Sequence, residues 1–363
     1  MKRDCGWLIL LVLLVGCGGE PPTETAKPLQ VATLLGGNAD ADAGFTRATA
    51  PVPLEFPRDH GPHPAYRSEW WYWTGNLKTA AGREFGFQFT VFRFALTAQP
   101  AARPSAWAAD SAWLAHLTVT DIATGRFVAR ERSARGAAGL AGATGEPFRV
   151  WCDGWEIGGS PWRLQADAGE IALDLTLEPG KAPVLQGDRG LSQKGAAAGN
   201  ASIYYSLTRM PTTGTVRVGG ERHAVSGSAW MDREWSTSAL EPGVVGWDWF
   251  ALQLADGREL MFYRLRRADG TATSFSAGSL VAADGTVTRL SAAEATITSD
   301  QTWTSPRGTQ YPARWRLRTR DLDLLITPRV ADQELDVSVR YWEGAVAVSG
   351  SVAGVGYVEL AGY

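Results

Sequence analysis

Alternation of apolar and polar residues is the feature of this 363-residue sequence that most constrains its fold. It is clearest in Phe85–Val91 and Ile171–Leu177, where every second residue is apolar. Successive side chains of a strand point to opposite faces, so such runs predict strands with one buried face. Similar runs, separated by Gly, Asp-Gly and Pro turns, lie at Trp113–Thr120, Ser202–Thr208, Thr215–Val218, Phe250–Leu254, Glu259–Leu265, Trp315–Thr319, Leu335–Tyr341 and Tyr357–Leu360. The sequence therefore predicts an all-β fold of antiparallel sandwich or barrel type.

Two tryptophan-rich segments resemble each other along the chain. Trp71–Trp73 is followed by the Gly-Arg-Glu turn at Gly82–Glu84, and Trp247–Trp249 is followed by the same turn at Gly257–Glu259. The offset is roughly 175 residues, which predicts a duplicated domain. Two independent hairpins remain the alternative interpretation.

The amino terminus is typical of an exported lipoprotein. Basic Met1–Arg3 precedes the apolar run Trp7–Val15, which is shorter than the roughly 20 residues of a membrane-spanning helix. Leu14–Cys17 resembles a lipobox, so residues 1–16 are predicted to be a signal peptide and Cys17 to carry lipid. The residue after the cysteine is Gly18 and not an acidic residue. This predicts that the lipid-anchored protein lies at the outer membrane and faces the periplasm. A secreted protein with a chance cysteine is the alternative.

Residues 17–56 are predicted to form a flexible tether between this lipid and the folded body. The segment is rich in Pro, Ala, Gly and Thr and has little periodic apolar content, so it buries too little surface to order itself. The predicted partner of the anchor is a membrane surface.

Charge and cysteine content exclude other classes. The formal net charge of −3 leaves no basic surface for nucleic acid. Cys5 leaves with the signal peptide and Cys17 is acylated, so Cys152 has no partner for a disulfide.

Motifs along the whole body resemble the lipocalin-like family of AttH proteins and carotenoid 1,2-hydratases. They are His60, Pro62, Glu69–Gly75, Ala115–Leu117, Tyr204–Arg209, Gly227–Trp235, Gly246–Trp249, Tyr341–Gly344 and Gly356–Leu360. The resemblance implies two tandem lipocalin-like β-barrels, over residues 57–236 and 237–363. An eight-stranded barrel is wide enough for one small ligand.

The resemblance implies two kinds of function. Hydratase members of the family add water to an isolated double bond of an acyclic carotenoid, whereas AttH-like members are encoded with ABC transporter components. Fold alone does not choose between them.

Hydration of an unactivated alkene needs a proton donor, an apolar pocket and aromatic faces that stabilise a cation. Asp232 and Glu234 are two residues apart and share one face of a strand, and Asp248 lies between two tryptophans. These three carboxyls are the candidate catalytic acids, because burial among indoles raises a carboxyl pKa. Structural ion pairs with arginine are the alternative for them.

A wider set of residues is predicted to contact a ligand. It contains Glu69, Trp71, Tyr72, Trp73, His116, Tyr205, Trp230, Arg233, Trp247 and Trp249. A hydrogen-bonded core position is the alternative for His116. Arg233 stands where relatives commonly carry histidine, and arginine cannot act as a general acid or base near neutral pH. The departure argues against hydratase chemistry.

The sequence contains no serine hydrolase elbow, phosphate loop or Cys-x-x-Cys motif, and it predicts no cofactor and no metal. The favoured hypothesis is an envelope lipoprotein that binds a hydrophobic small molecule and is associated with an ABC-type exporter. The alternative hypothesis is a hydro-lyase of the carotenoid 1,2-hydratase type.

Replacement of the lipobox cysteine tests the anchor. Cys17→Ser removes the thiol that takes the diacylglyceryl group, so incorporation of labelled palmitate into the protein should disappear. Cys152→Ser is the matched control and should label like wild type. Labelling that persists in Cys17→Ser contradicts the predicted lipoprotein.

Overall fold

The structure is a computed structural model that describes residues 29–30 and 42–363. Its first strand is β1 (Leu29–Gln30), and a 3-10 helix covers Arg58–His60. The predicted signal peptide, Cys17 and the first part of the predicted tether lie outside the described residues. Within the described part of the chain, no helix has the length and apolar character needed to cross a membrane.

Two curled antiparallel sheets make up the body, and the predicted all-β fold is confirmed. The first sheet contains β2 (Ser68–Lys78), β3 (Glu84–Ala95), β4 (Ser111–Asp121), β5 (Arg126–Arg135), β6 (Ala141–Thr144), β7 (Arg149–Cys152), β8 (Trp155–Gly158), β9 (Trp162–Asp167), β10 (Ile171–Leu177), β11 (Val184–Leu185), β12 (Leu191–Gln193), β13 (Ala201–Val218) and β14 (Glu221–Ser236). The second contains β1, β15 (Val244–Leu254), β16 (Glu259–Arg267), β17 (Ala277–Val281), β18 (Val287–Ser291), β19 (Thr296–Thr304), β20 (Gln310–Arg318), β21 (Asp323–Pro328), β22 (Glu334–Leu335), β23 (Val339–Gly350) and β24 (Gly354–Ala361).

Both sheets have the same strand order, which supports the duplication. The first runs β5-β4-β3-β2-β14-β13-β10-β9-β8, continuing to β7 and β6, and the second runs β18-β17-β16-β15-β24-β23-β21-β20-β19. In each, the opening hairpin with its tryptophans pairs with the last strand of the same sheet. The first sheet forms a barrel and the second a half-barrel.

The barrel interior is filled with side chains. Trp71, Trp73 and Phe87 belong to a continuous hydrophobic core that also includes residues from β4, β7, β9, β10, β13 and β14. The predicted use of the barrel interior as a ligand site is therefore corrected, since the interior is occupied by close-packed residues. The open space that matters lies between the two sheets.

The two sheets pack against each other through aromatic and small residues. Tyr72 and Trp230 of the first sheet share a buried cluster with Trp249 and Tyr357 of the second. Gly86 leaves room for a ring of the second sheet, because a Cβ placed on it would lie 2.5 Å from the hydroxyl of Tyr357. Burial of these rings joins the two halves of the molecule.

One predicted pair of strands is a single strand. Ser202–Thr208 and Thr215–Val218 both belong to β13, which continues through Pro211 with a register shift between Leu207 and Met210. A bulge lets a strand bend and pass a proline without ending. Conversely, the predicted strand Leu335–Tyr341 is interrupted between β22 and β23.

The last part of the predicted tether is bound to the body. The amide of Thr46 donates to the carbonyl of Ala65 at 2.9 Å, and Thr237 donates its hydroxyl to the carbonyl of Thr46. Asp42 forms an ion pair with Arg67 at 3.0 Å. The predicted tether of residues 17–56 is therefore too long at its carboxyl end, because residues 42–56 belong to the folded body.

Candidate functional site

The two faces of strand β14 place acidic and basic side chains in different surroundings. Asp232 and Glu234 point towards the second sheet, where both contribute to the wall of a pocket. Arg233 points into the barrel and is fully buried there. The strand alternation predicted the shared face of Asp232 and Glu234, and the structure agrees.

The pocket between the sheets has aromatic walls and an acidic floor. Its cavity volume is about 80 Å³, smaller than the roughly 300–1,000 Å³ of typical drug-sized sites. Its lining consists of Trp70, Tyr72, Thr90, Phe92, Lys194, Tyr204, Asp232, Glu234, Ala239, Leu240, Trp247, Trp249, Tyr263, Leu265, Tyr341 and Glu359. Trp70, Phe92, Trp247 and Glu359 are only half-buried. A ligand can therefore place one end in the cavity and extend the rest past apolar rings.

Asp232 is held by three hydrogen-bond donors. Its carboxylate accepts from the hydroxyls of Ser206 at 2.5 Å and Tyr204 at 2.6 Å, and from the indole N–H of Trp230 at 2.8 Å. Burial raises the pKa of Asp232 to about 7; these donors oppose the rise and the charge of Glu234 adds to it. Near neutral pH this group is able to give or take a proton.

Two further carboxyls come from the second sheet. Glu359 accepts from the indole N–H of Trp247 at 2.5 Å, and burial raises the pKa of Glu359 to about 7. Glu343, its cross-strand neighbour, accepts from the hydroxyl of Tyr72 at 2.5 Å and leaves its second oxygen without a partner. Burial, with the charge of Glu359, raises the pKa of Glu343 well above its usual range.

Lys194 is the basic residue of the pocket wall. Its ammonium forms an ion pair with Glu234 and lies 5.4 Å from the ring centroid of Tyr204 and 5.3 Å from that of Tyr263. These contacts fix the lysine between a carboxylate and two aromatic faces.

His116 connects the pocket wall to the protein surface. One ring nitrogen is 2.7 Å from the hydroxyl of Tyr341, which lines the pocket, and the other is 3.1 Å from the carboxylate of Glu131. Glu131 retains contact with solvent. His116 is thus a hydrogen-bonded buried residue, the alternative that its sequence position left open, and it lies behind the pocket.

Glu69 and Arg233 form the centre of a separate polar cluster inside the barrel. Glu69 binds both Arg233 and Arg93, and the Arg233 guanidinium lies 3.9 Å from the ring centroid of Trp71. Burial alone would raise the pKa of Glu69, but Arg233, His63 and Arg93 outweigh it and hold the pKa well below its usual range. Breaking such a buried pair typically costs about 3–5 kcal/mol. The cluster stabilises the barrel.

Asp248 does not belong to the pocket. Its carboxylate binds Arg264 at 2.9 Å, Arg266 at 3.0 Å and the hydroxyl of Tyr363 at 2.7 Å, and the side chain is fully buried. The prediction of Asp248 as a catalytic acid is corrected, because two arginines neutralise it away from the cavity.

The structure separates the predicted ligand contacts, together with the candidate acids Asp232 and Glu234, into three groups. Asp232, Glu234, Tyr72, Trp247 and Trp249 line the pocket. Trp230 and His116 contact lining residues from behind. The remainder face the barrel interior, which corrects their predicted role: Glu69, Trp71, Trp73, Tyr205 and Arg233.

Sequence reasoning missed four chemical groups of this site, namely Lys194, Tyr204, Tyr263 and Glu359. Alternation in β24 does place Glu359 on the same face as Tyr357, and this signal was available. No pattern marks Lys194, which follows the short strand β12. Among the residues that the structure describes, no group of three or more His, Cys, Asp or Glu side chains is arranged to hold a metal ion.

Comparison with known proteins identifies relatives over almost the whole described body. The AttH-like family model matches residues 47–363. A crystal structure described as AttH from Nitrosomonas europaea is 37% identical, has a TM-score of 0.79, and covers 86% of this chain and 99% of its own. A comparison with curated proteins found no match.

Two more distant structures share the fold. Kievitone hydratase from Nectria haematococca is 19% identical with a TM-score of 0.65, and the match covers 87% of this chain and 95% of the hydratase. CghA in complex with Sch210972 is 13% identical with a TM-score of 0.51, covering 89% of this chain and 96% of CghA.

The raised pKa of Asp232 predicts a pH-dependent stability. Between its unfolded pKa of 3.8 and its folded pKa of about 7 the unfolded chain ionises first, so stability falls as pH rises through this window. Asp232→Asn removes the effect. Relative to wild type, its free energy of unfolding should gain up to about 4 kcal/mol between about pH 4 and pH 8, measured by urea denaturation.

Glu178→Gln, at an exposed position, is the control and should track wild type across the same pH range. A constant difference between Asp232→Asn and wild type at every pH would show that Asp232 ionises normally in the folded protein.

Proposed function

Since this chain belongs to the AttH-like family, we propose that it binds a small molecule with an apolar body in the pocket between its two sheets. The observation that carries the proposal is a cavity with aromatic walls and an open apolar side, placed between two sheets whose own interiors are packed. Sites of this kind combine apolar lining with a few convergent polar groups.

The pocket has a polar inner end and an apolar outer end. Asp232, Glu234 and Tyr204 lie among fully buried groups, whereas Trp70, Phe92 and Trp247 are half-buried. An amphiphilic molecule gains most when its polar end meets the carboxyls and its apolar body covers the three rings, because each half then meets matching chemistry.

We further propose that the protein acts at the cell envelope. Lipid on Cys17, inferred from the lipobox, would hold the body near the outer membrane and facing the periplasm, where apolar molecules partition. Association with an ABC-type exporter is the corresponding partner hypothesis, and it rests on the family resemblance.

A second candidate function is a hydro-lyase, and the raised pKa of Asp232 favours it. The Asp232 proton would move to one carbon of an isolated C=C bond as the π pair forms the new C–H bond. Trp249 and Tyr204 would face the cation on the other carbon, and Glu359 would accept a proton from the water that adds there. The name of kievitone hydratase shows that one protein of this fold is called a hydratase.

Filling the cavity tests the binding proposal. Wild type should enhance the fluorescence of diphenylhexatriene, a neutral apolar probe. Ala239→Trp places an indole in the pocket wall and should weaken probe binding roughly tenfold, because the probe loses its buried contacts. Ala283→Trp adds the same ring at an exposed position and should bind normally. Equal binding by all three proteins contradicts the assigned pocket.

Labelled water tests the second candidate. Incubation with an acyclic carotene in ¹⁸O-water should place one labelled oxygen in the product, detected by mass spectrometry. Asp232→Asn cannot donate a carboxyl proton and should lower incorporation by roughly 100-fold or more. Asp248→Asn removes a carboxyl outside the pocket, so a correctly folded variant should retain activity. Absence of label with wild type eliminates the lyase for this substrate class.

A further inference from the structure

We propose that the ligand of this pocket carries a positively charged nitrogen, as a substituted ammonium head group on an apolar body. The inference rests on the proposed binding function and names the chemical class of its ligand. It follows from the aromatic walls, the number of carboxyls and the position of a lysine already held there.

The carboxyls at the pocket exceed the protein's own positive charge. Asp232, Glu234 and Glu359 line the cavity, and the fully buried Glu343 neighbours Glu359 across β23 and β24. Among the described lining residues, Lys194 is the one basic side chain, and Glu234 pairs with it. Asp232, Glu359 and Glu343 therefore have no cationic partner at the cavity.

Lys194 shows what this environment recognises. Its ammonium lies against one carboxylate and within about 6 Å of two tyrosine rings, which is the geometry of cation–π contact. The pocket thus already stabilises one alkylammonium group, using Glu234, Tyr204 and Tyr263.

Other residues of the lining combine aromatic rings and carboxyls without a protein cation. Trp249 contacts Tyr72 edge-to-face at 5.1 Å, and Trp247 binds Glu359 through its indole N–H. Asp232, which accepts from the indole N–H of Trp230 and the hydroxyl of Tyr204, also belongs to this lining and has no cationic partner. Indole faces beside carboxylates are the environment that proteins use to bind substituted ammonium groups.

The dimensions suit a head group with a projecting tail. A cavity of about 80 Å³ does not enclose a large molecule, but the half-buried rings of Trp70, Phe92 and Trp247 continue the apolar surface outwards. A compact ammonium in the cavity places its apolar chain along these rings.

The missing cation also explains the protonation of the site. Burial raises the pKa of Asp232 and Glu359 to about 7, and Lys194, the basic side chain of the wall, pairs with Glu234 and not with these two carboxyls. A bound ammonium would favour the ionised carboxylates, so ligand binding should release protons and strengthen as pH rises. The other ionisable groups facing these carboxyls are Lys194, Glu234, Glu343, Tyr72, Tyr204, Tyr263 and Tyr341.

Two probes with the same tail test the inference in the full-length protein. Decyltrimethylammonium carries a permanent charge, whereas 1-decanol is neutral, and tryptophan fluorescence reports binding of either below its micellar concentration. We expect the ammonium to bind roughly tenfold more tightly at pH 8, and its affinity to rise several-fold from about pH 6 to pH 8. The affinity for decanol should not rise.

Two variants connect the effect to the carboxyls. Asp232→Asn and Glu359→Gln should each weaken ammonium binding at least roughly fivefold and reduce its pH dependence, with little change for decanol. Glu359→Gln keeps the inference testable if Asp232→Asn folds poorly, and Glu178→Gln is the exposed control.

Preference for decanol, or equal binding of both probes, overturns the inference and leaves the proposed binding function standing. Ammonium binding that is unchanged in both carboxyl variants also overturns the inference. Binding of neither decyl probe, together with no diphenylhexatriene binding, overturns both.

Discussion

Packing of the two sheets through a layer of aromatic rings is the interaction on which the rest of the structure depends. Tyr72 and Trp230 on one sheet meet Trp249 and Tyr357 on the other, and the cavity lies within this layer. The same contact removes Asp232 from water. Without the second sheet that carboxyl would lie on an outer barrel face, where a carboxylate is ordinarily ionised at neutral pH.

The two faces of β14 show how neighbouring residues acquire opposite roles. Arg233 and Glu69 face the barrel interior, where their opposite charges form a buried ion pair that stabilises the fold. Asp232, one position away, faces a cavity where hydroxyl and indole donors are its partners. The protonation of a cluster of paired charges changes little near neutral pH, whereas the protonation of a buried acid without a cationic partner depends on pH and on the charge of a ligand.

Much of the fold could be predicted from local patterns, but the site could be predicted only in part. Alternation identified many of the longer strands but not β5 to β9, β17 to β19 or β21, and it placed Asp232 and Glu234 on one face because the side-chain period of a strand is two. It could not tell whether that face looked into the barrel or towards the second sheet. Glu359 lies more than 100 residues from Asp232, so no local pattern joins them. Asp248 looked equivalent in sequence but lies outside the pocket, where it pairs with Arg264 and Arg266.

The sequence by itself determined the all-β class, many of the strands, the family and the shared face of two carboxyls, since these depend on residue order along one chain. Tertiary structure alone decided that the barrel is filled, that Arg233 belongs to its interior, and that Asp232 and Glu359 line one pocket from two sheets. The physical reason is that burial and charge balance are properties of a residue's surroundings, and those surroundings come from distant strands.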